Sequence, residues 1–415
     1  MASTHSEPGL LTGDRFTVEI DGFSPTRTIT PSTAADVAEA LATAASEGHA
    51  VAPVGFSTKL ALGNTPDRLD VVLSTRALDR VLHYEPDDLT LSVEAGIRFG
   101  DVQELLADCG QTLPVESPDD DQATIGGLIA TALAGPRRFG NGTLRDLLIG
   151  ISVAYPNGTV GKAGGLVVKN VTGFDLMRLH LGALGTLGVV VSANFKVLPS
   201  ARHEATLVSE PESFDRAMEM AQLAREGRLR PIAVEVFGRS DRWQVAARYE
   251  GRPQTVSIGT SALQGKGGWS QLLEAGESAG WWRGYLDGQR LRRSDGHVIV
   301  RCGFEPKRTA EAVAKIDAAL ASNDISQENW TISPGLGSVT VEFDPDLALM
   351  TSLGPIQRAL SSTFDSVCVL TAPAALKRDI DVWGRAPETV SVMRALKAEF
   401  DPQRILNPGR FVDRI

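Results

Sequence analysis

Between Gly164 and Pro199 the chain reads GGLVVKNVTGFDLMRLHLGALGTLGVVVSANFKVLP, and no other stretch constrains its fold as tightly. Apolar runs alternate with paired glycines, and Gly185-Thr186-Leu187-Gly188 leads straight into a buried-looking strand, Val189 to Val197. Glycine this dense among β-branched residues lets backbone approach backbone, or a ligand, where a side chain would intervene. Two readings stay open from this stretch alone. A tightly packed α+β core needs such glycines, and so does a wall of backbone built against a bound molecule.

Length and charge narrow the classes. At 415 residues the chain exceeds what one hydrophobic core usually covers, so two domains are expected. With 42% apolar and 22% charged residues it has the composition of an ordinary soluble globular protein. A net charge of −10 argues against nucleic acid as a partner, because phosphate binding calls for a basic surface. No apolar run approaches the ~20 residues of a membrane span, and Met1 to Thr12 is polar and acidic without a secretory pattern. The expected location is the cytoplasm, with peripheral attachment to the inner face of the cell membrane open through partner subunits. Cys109, Cys302 and Cys368 lie far apart with no CxxC spacing, and the six histidines are equally scattered. Neither a metal site nor an iron–sulfur cluster is expected from this chain.

The first two hundred residues pattern as one α+β unit. Ser32-Thr33 opens a helix through Val37, Leu41 and Ala44 that Gly48 ends. Val51 to Val54, Leu69 to Ser74 and Leu89 to Ala95 read as strands, and Phe99 to Ala107 and Ile125 to Ala134 as helices. A hairpin is expected around Pro156-Asn157-Gly158. Past Pro199 the texture changes. Helices are expected at Phe214 to Ala224, Trp269 to Ala279, Thr309 to Leu320 and Val390 to Phe400. Strands are expected at Ile232 to Phe237, Trp243 to Tyr249, Thr255 to Ile258, Val339 to Phe343 and Val367 to Leu370. Such alternation suggests a second α+β domain with an antiparallel sheet.

Three segments could carry chemistry. Pro53-Val54-Gly55-Phe56-Ser57-Thr58 leaves a strand through glycine and could present consecutive N–H groups to an anion, or be an ordinary turn. It matches neither a P-loop nor a Rossmann turn. Thr124 stands where an N-cap would, and Gly126-Gly127 leave the first helical turn bare; that turn could admit a phosphate or flat ring, or simply pack closely. Arg137-Arg138 could clamp a carboxylate or phosphate, against the plainer reading of surface charges, with Arg145-Asp146 a structural ion pair.

The order of these segments is more specific than any one of them. Strand, PVGFST loop, strand pair, VEAGIRFGDV, TIGG, RDLLIG, hairpin and GTLGVV follow in turn, and here the chain resembles the FAD-binding domain of the vanillyl-alcohol oxidase and p-cresol methylhydroxylase (PCMH-type) superfamily. Within it the chain is similar to the FAD-binding subunits of glycolate oxidases, through Gly135-Pro136-Arg137-Arg138, the run from Val168 to Leu176, Gly182 to Gly188, and the tail from Phe400 to Phe411. The resemblance implies an α+β fold: a two-subdomain FAD-binding domain over residues 1–200, a smaller α+β cap over 201–375, and a C-terminal segment, 376–415, returning to the FAD domain. It implies that Pro53, Val54, Gly55, Phe56, Ser57 and Thr58 hold the FAD pyrophosphate. Pro118, Asp119, Thr124, Gly126, Gly127, Thr131 and Ala134 would lie along the ribityl chain and flavin. Gly185 and Val189 would flank the adenine end, and Asn407 would approach the isoalloxazine.

Departures from the superfamily pattern shape the functional expectation. No histidine stands near the pyrophosphate loop, so FAD is expected to be non-covalent. The histidine-rich cap motif of catalytic 2-hydroxy-acid dehydrogenases is missing: His203 and His297 stand alone, Arg137, Arg138, Arg239 and Arg385 offer cations, and no general base is evident. The resemblance implies a hetero-oligomer with a larger flavoprotein subunit and an iron–sulfur subunit, oxidising a small 2-hydroxy acid such as glycolate. The alternative is a non-catalytic interaction subunit that holds FAD structurally or not at all. A nicotinamide site, which a UDP-sugar reductase of the same superfamily would need, is not found.

Overall fold

The computed structural model describes residues 18–116, 120–166, 175–239, 242–294, 296–323, 325, 328–344 and 347–415. Pro118, Asp119 and positions 167–174 of the glycine-rich run lie outside them. The helix Ala34–Glu47 begins as its sequence demands. The Thr33 hydroxyl accepts from the Asp36 N–H while the Asp36 carboxylate accepts from the Thr33 N–H, and Gly48 closes the other end at φ 71°. Its buried face, Val37, Leu41 and Ala44, packs between two sheets. One is parallel, in the order Arg27–Ile29, Val71–Ser74, Val51–Val54. The other is antiparallel, in the order Val81–Glu85, Thr90–Glu94, Val189–Lys196, Leu148–Ala154, Val160–Gly164. The helices Phe99–Ala107 and Ile125–Thr131 cover the second sheet through Val102, Leu106, Ile125 and Ile129 against Leu91, Val93, Ala193 and Phe195. Each such buried side chain contributes roughly 1.5–3 kcal/mol.

Residues beyond Ser200 supply an eight-stranded sheet, antiparallel throughout. Its order is Gln271–Glu274, His203–Ser209, Arg242–Gly251, Ala233–Arg239, Glu328–Ser333, Ser338–Phe343, Val298–Gly303, Ser366–Thr371. Strand periodicity sorts its two faces. Val234, Val236, Val298, Val300, Val339 and Val341 point toward the helices Phe214–Arg225, Pro253–Gln264, Thr309–Ala321 and Leu347–Ser361. The residues between them, Glu235, Ile299, Arg301, Thr340 and Glu342, fall on the opposite face.

Two expectations are corrected here. Thr255 to Ile258 is not a strand but part of the helix Pro253–Gln264. Pro253 sits in its first turn, and Val256, Thr260 and Leu263 recur at helical spacing on the buried side, while Ile258 is 61% exposed. Trp269 to Ala279 is not one helix: Gln271–Glu274 pairs with His203–Ser209 as an edge strand, and a helix starts only at Ala275. Ala275, at φ 47°, makes the break. A run too short to show its period was ambiguous in both places.

The last forty residues close the fold back on its start. The bridge Val51–Leu406 covers the outer edge of the strand Val51–Val54. Leu62, Leu133, Leu184, Ile299, Cys368 and Leu370 form one cluster with Trp383 and Phe411, joining all parts of the chain.

Candidate functional site

Two glycines bring three distant segments to one place. A Cβ on Gly55 would lie 2.5 Å from Thr124 Cγ2 and Oγ1, so the bare backbone lets the loop after Val51–Val54 rest on the start of the helix Ile125–Thr131. Gly185 has φ +66°, and a Cβ there would lie 2.8 Å from Pro53 Cγ. Pro53, Val54, Gly55, Thr124, Gly126, Gly127, Gly185 and Val189 therefore line one cleft, and Phe56, Ser57 and Thr58 continue the loop outside its lining.

The donors of this cleft are not all where the helix start suggested. The Ile125 and Gly126 N–H groups are spent on the Ile97 and Ala95 carbonyls, and the Gly127 N–H on Thr124 Oγ1 at 3.0 Å. Of the two readings left open for this helix N-terminus, these bonds match the close-packed one: the turn is capped and packed. The N–H groups of Phe56, Ser57 and Thr58, in contrast, are spent on no backbone carbonyl among the described residues. Ser57 has φ 64°, and its buried Oγ has no hydrogen-bond partner among them. A loop holding a non-glycine residue in the left-handed region with donors unspent has the chemistry to accept an anion. The Phe56 ring is flanked by the Arg76 and Arg98 guanidiniums at 4.5 and 4.6 Å.

The remaining expected residues spread out from this cleft. Thr131 donates its hydroxyl to the Gly127 carbonyl at 2.9 Å. Ala134 lines a second cavity described below. Asn407 stands beside Gly185, its N–H on the Val51 carbonyl and its side-chain amide on the Leu184 carbonyl at 2.6 Å, leaving a buried Oδ1 without a partner among the described residues. The sequence reading missed His180, which lines the cleft with its Nε2 3.1 Å from the Tyr155 hydroxyl. Burial pushes its pKa down to about 4, so the ring is neutral at pH 7.

Buried cations of the C-terminal segment hold these walls from behind. Arg410 donates to the carbonyls of Leu60 and Leu62 at 2.6 Å each, and burial pushes its pKa down to about 10. Lys377 donates to the Ala61 carbonyl and to Asp21. Lys397 divides its three donors among the carbonyls of Thr186 and Leu406 and the Asp401 carboxylate. Loop and glycine turn alike are thus fixed by charge-assisted bonds.

A second cavity, of about 70 Å³, lies where Leu133 to Pro136 and Arg138 meet the polar face of the eight-stranded sheet. Glu235, Tyr285, Arg301, Ser333 and Thr340 line it. Glu235 is 1% exposed, accepts from the Ser333 hydroxyl at 2.8 and 2.9 Å and from the Tyr285 hydroxyl at 3.3 Å. Desolvation, only partly offset by Ser333 and Arg138, pushes its pKa up to about 8. Burial, then the nearby Arg301, lowers the Arg138 pKa. Neither arginine pairs with a carboxylate within 4 Å among the described residues. The sequence signal for this cavity was a charged residue inside an apolar run, V-E-V and V-R-C, on two strands of the same sheet.

The adjacent arginines do not clamp one ligand together. Arg137 turns the other way, into a buried network with Arg248 and the carboxylates of Glu116, Glu204 and Glu250. Arg248 lies 2.6 Å from Glu116 and 2.7 Å from Glu204, joining the eight-stranded sheet to the loop before residue 117. Nor do Arg145 and Asp146 pair: Asp146 instead accepts from the Thr143 N–H as a helix cap. Among the described residues no group of acidic, histidine or cysteine side chains is arranged to hold a metal, and no helix is long and apolar enough to cross a membrane.

Comparison with known proteins fits this geometry. The FAD binding domain family model matches residues 25–164, and the model for the C-terminal domain of FAD-linked oxidases matches residues 378–411. The chain therefore carries segments matching both the FAD binding domain and the C-terminal domain of FAD-linked oxidases. FAD is its cofactor, and it is an FAD-dependent oxidoreductase. Glycolate oxidase subunit GlcD of Bacillus subtilis is 24% identical over 93% of this chain and 88% of its own length. Glycolate oxidase subunit GlcE of Escherichia coli is 34% identical over 53% of this chain and 62% of its own. D-lactate dehydrogenase of Archaeoglobus fulgidus is 28% identical over 93% and 91%. Alkyldihydroxyacetonephosphate synthase superposes with a TM-score of 0.68 at 15% identity, covering 92% of this chain and 77% of that one. The mixed helix-and-sheet architecture is accordingly that of PCMH-type FAD-binding proteins.

Proposed function

We propose that this FAD-linked oxidoreductase is the FAD-binding subunit of a hetero-oligomeric oxidase of glycolate or a related 2-hydroxy acid, passing electrons through its flavin toward an iron–sulfur partner and assembling with a larger flavoprotein subunit. The observation that supports the FAD site is the unspent N–H row of Phe56 to Thr58 with the orphaned Ser57 Oγ, on the loop that continues from Gly55 at the edge of the cleft walled by Gly55, Thr124 and Gly185. In this reading the FAD pyrophosphate lies on that loop, the adenine end on Gly185 and Val189, and the ribityl chain runs past Thr124, Gly126, Gly127 and Thr131 toward Ala134 and the second cavity. No histidine stands at Gly55 to Ser57, so the flavin is held without a covalent bond. Residues 1–200 form the FAD-binding domain, 201–375 the cap, and 376–415 the returning segment. When bound, FAD supplies the two-electron acceptor; the chain's own part is to hold it and to shape the cavity beside it.

The relatives named above for glycolate and D-lactate support the substrate class, and the glycolate oxidase subunits support an assembly. The test is purification of the tagged chain at native level, with flavin released by acid, iron and co-purifying chains measured together. Equimolar FAD released by acid, with an iron-containing partner, is the expected result. Protein that stays colourless after incubation with FAD would sink the site, and a chain purified without partners would sink the assembly.

A further inference from the structure

The second cavity holds two arginines without a carboxylate within 4 Å among the described residues and, beside Glu342, the buried carboxyl of Glu235, which accepts from no arginine among them, an arrangement with an electrostatic cost unless something fills it. Guanidiniums withdrawn from water need an anion, and Arg138 and Arg301 both face the same small space. At about 70 Å³ it has room for about five water-sized groups. Glu235 lines the same cavity from the strand Ala233–Arg239, which two strands separate from that of Arg301, and its carboxylate accepts from Ser333 and Tyr285.

Resting on the function proposed above, we propose that Arg138 and Arg301 bind the carboxylate of a small 2-hydroxy acid in this cavity, and that Glu235 is the base that takes its hydroxyl proton. The balance is simple. The O–H bond breaks and its proton passes to a Glu235 oxygen; the C–H bond breaks and its electron pair leaves as hydride to the bound FAD; the carbon–oxygen double bond of a 2-oxo acid forms. The base that the sequence did not reveal is thereby a strand carboxylate rather than a histidine. Glu235 is poised for this work because burial holds its pKa near 8, close to working pH, instead of in the ordinary carboxylate range. The groups facing it are Ser333, Tyr285 and Arg138, with Glu116 acting through space; Arg301 and Glu342 share the cavity.

The test uses the full chain loaded with FAD and oxalate as an unreactive dicarboxylate probe, followed by calorimetry and by the shift of the flavin absorbance. Arg138→Met and Arg301→Met should each weaken oxalate at least tenfold. In the parent, oxalate affinity should fall as pH rises through about 8, as Glu235 ionises beside the bound dianion; in Glu235→Gln that fall should vanish. Anaerobic reduction of the flavin by glycolate should slow by roughly 10²–10⁴-fold in Glu235→Gln. Oxalate bound equally by the parent and both arginine variants would overturn the carboxylate site. Glycolate reduction at the parent rate in Glu235→Gln, or an unchanged pH dependence of oxalate binding, would overturn the base. Flavin that neither glycolate nor D-lactate reduces, while oxalate still depends on both arginines, would overturn the function and the proton step but leave the carboxylate site standing.

Discussion

The Lys397 ammonium donates to the Thr186 carbonyl oxygen at 2.8 Å across 211 residues of sequence, tying the helix Val390–Phe400 to the glycine-rich turn. The same group pairs with Asp401, which is fully buried. Lys397→Met would strand that carboxylate in the interior. The expected loss is about 3–5 kcal/mol in denaturant unfolding, and FAD retention after gel filtration should fall with it.

Gly55 and Thr124 touch so closely that a methyl group cannot enter between them. Gly55→Ala should weaken FAD at least tenfold, read by recovery of flavin fluorescence on dilution. Adding Thr124→Ala removes Oγ1 and Cγ2, so the double variant should bind more tightly than the sum of the two single losses allows. Strict additivity would mean that the two residues do not share the cleft.

His180 supplies a pH dependence of stability. Its pKa lies near 4 in the fold and about 6.5 in an unfolded chain. Between those values the unfolded state binds a proton that the folded state refuses, so stability present above pH 6.5 is lost as pH falls toward 4, on the order of 3 kcal/mol. In His180→Gln the unfolding free energy should decline less steeply over this window. Glu235 works on the alkaline side: its raised pKa gives stability that is full below about pH 4.5 and is lost as pH rises through about 8.

Arg248 holds three carboxylates at the junction of the eight-stranded sheet with the loop that ends at Glu116. Its side chain is 4% exposed. Arg248→Met should cost about 3–5 kcal/mol by leaving those charges short of a partner. Combining it with Glu204→Gln should recover part of that loss, measured as a double-mutant cycle.

Thiol titration offers a simple check on burial. Cys109 is exposed whereas Cys302 and Cys368 are buried. One of the three cysteines should react quickly with an aromatic disulfide in the native protein, and all three after denaturation.

The parts legible in the sequence were those whose signal is local. The Thr33–Gly48 helix carries its own start and stop, and Val51 to Val54 and Phe99 to Ala107 show a clear period. Gly55, Thr124 and Gly185 were readable because close approach leaves only glycine, or a cap, as a choice. What sequence did not reveal is decided by pairing between distant strands. Glu235 and Arg301 look like ordinary polar residues of two half-buried strands until the sheet order sets both on one face. The bland reading of Arg137-Arg138 failed for the same reason: consecutive residues on a short turn face opposite ways, one into a network and one into a cavity. Thr255 to Ile258 was misread because its β-branched residues imitate a strand over a span too short for helical spacing to show.

The bonds from Arg410 to the Leu60 and Leu62 carbonyls join residues separated by 350 and 348 positions. On a ribosome moving at roughly 5–20 residues per second, the loop around Gly55 waits on the order of a minute or less before its last supports are made. Cofactor uptake should therefore be an event of the finished chain rather than of the nascent one, and a chain released short of Arg410 should leave synthesis without flavin.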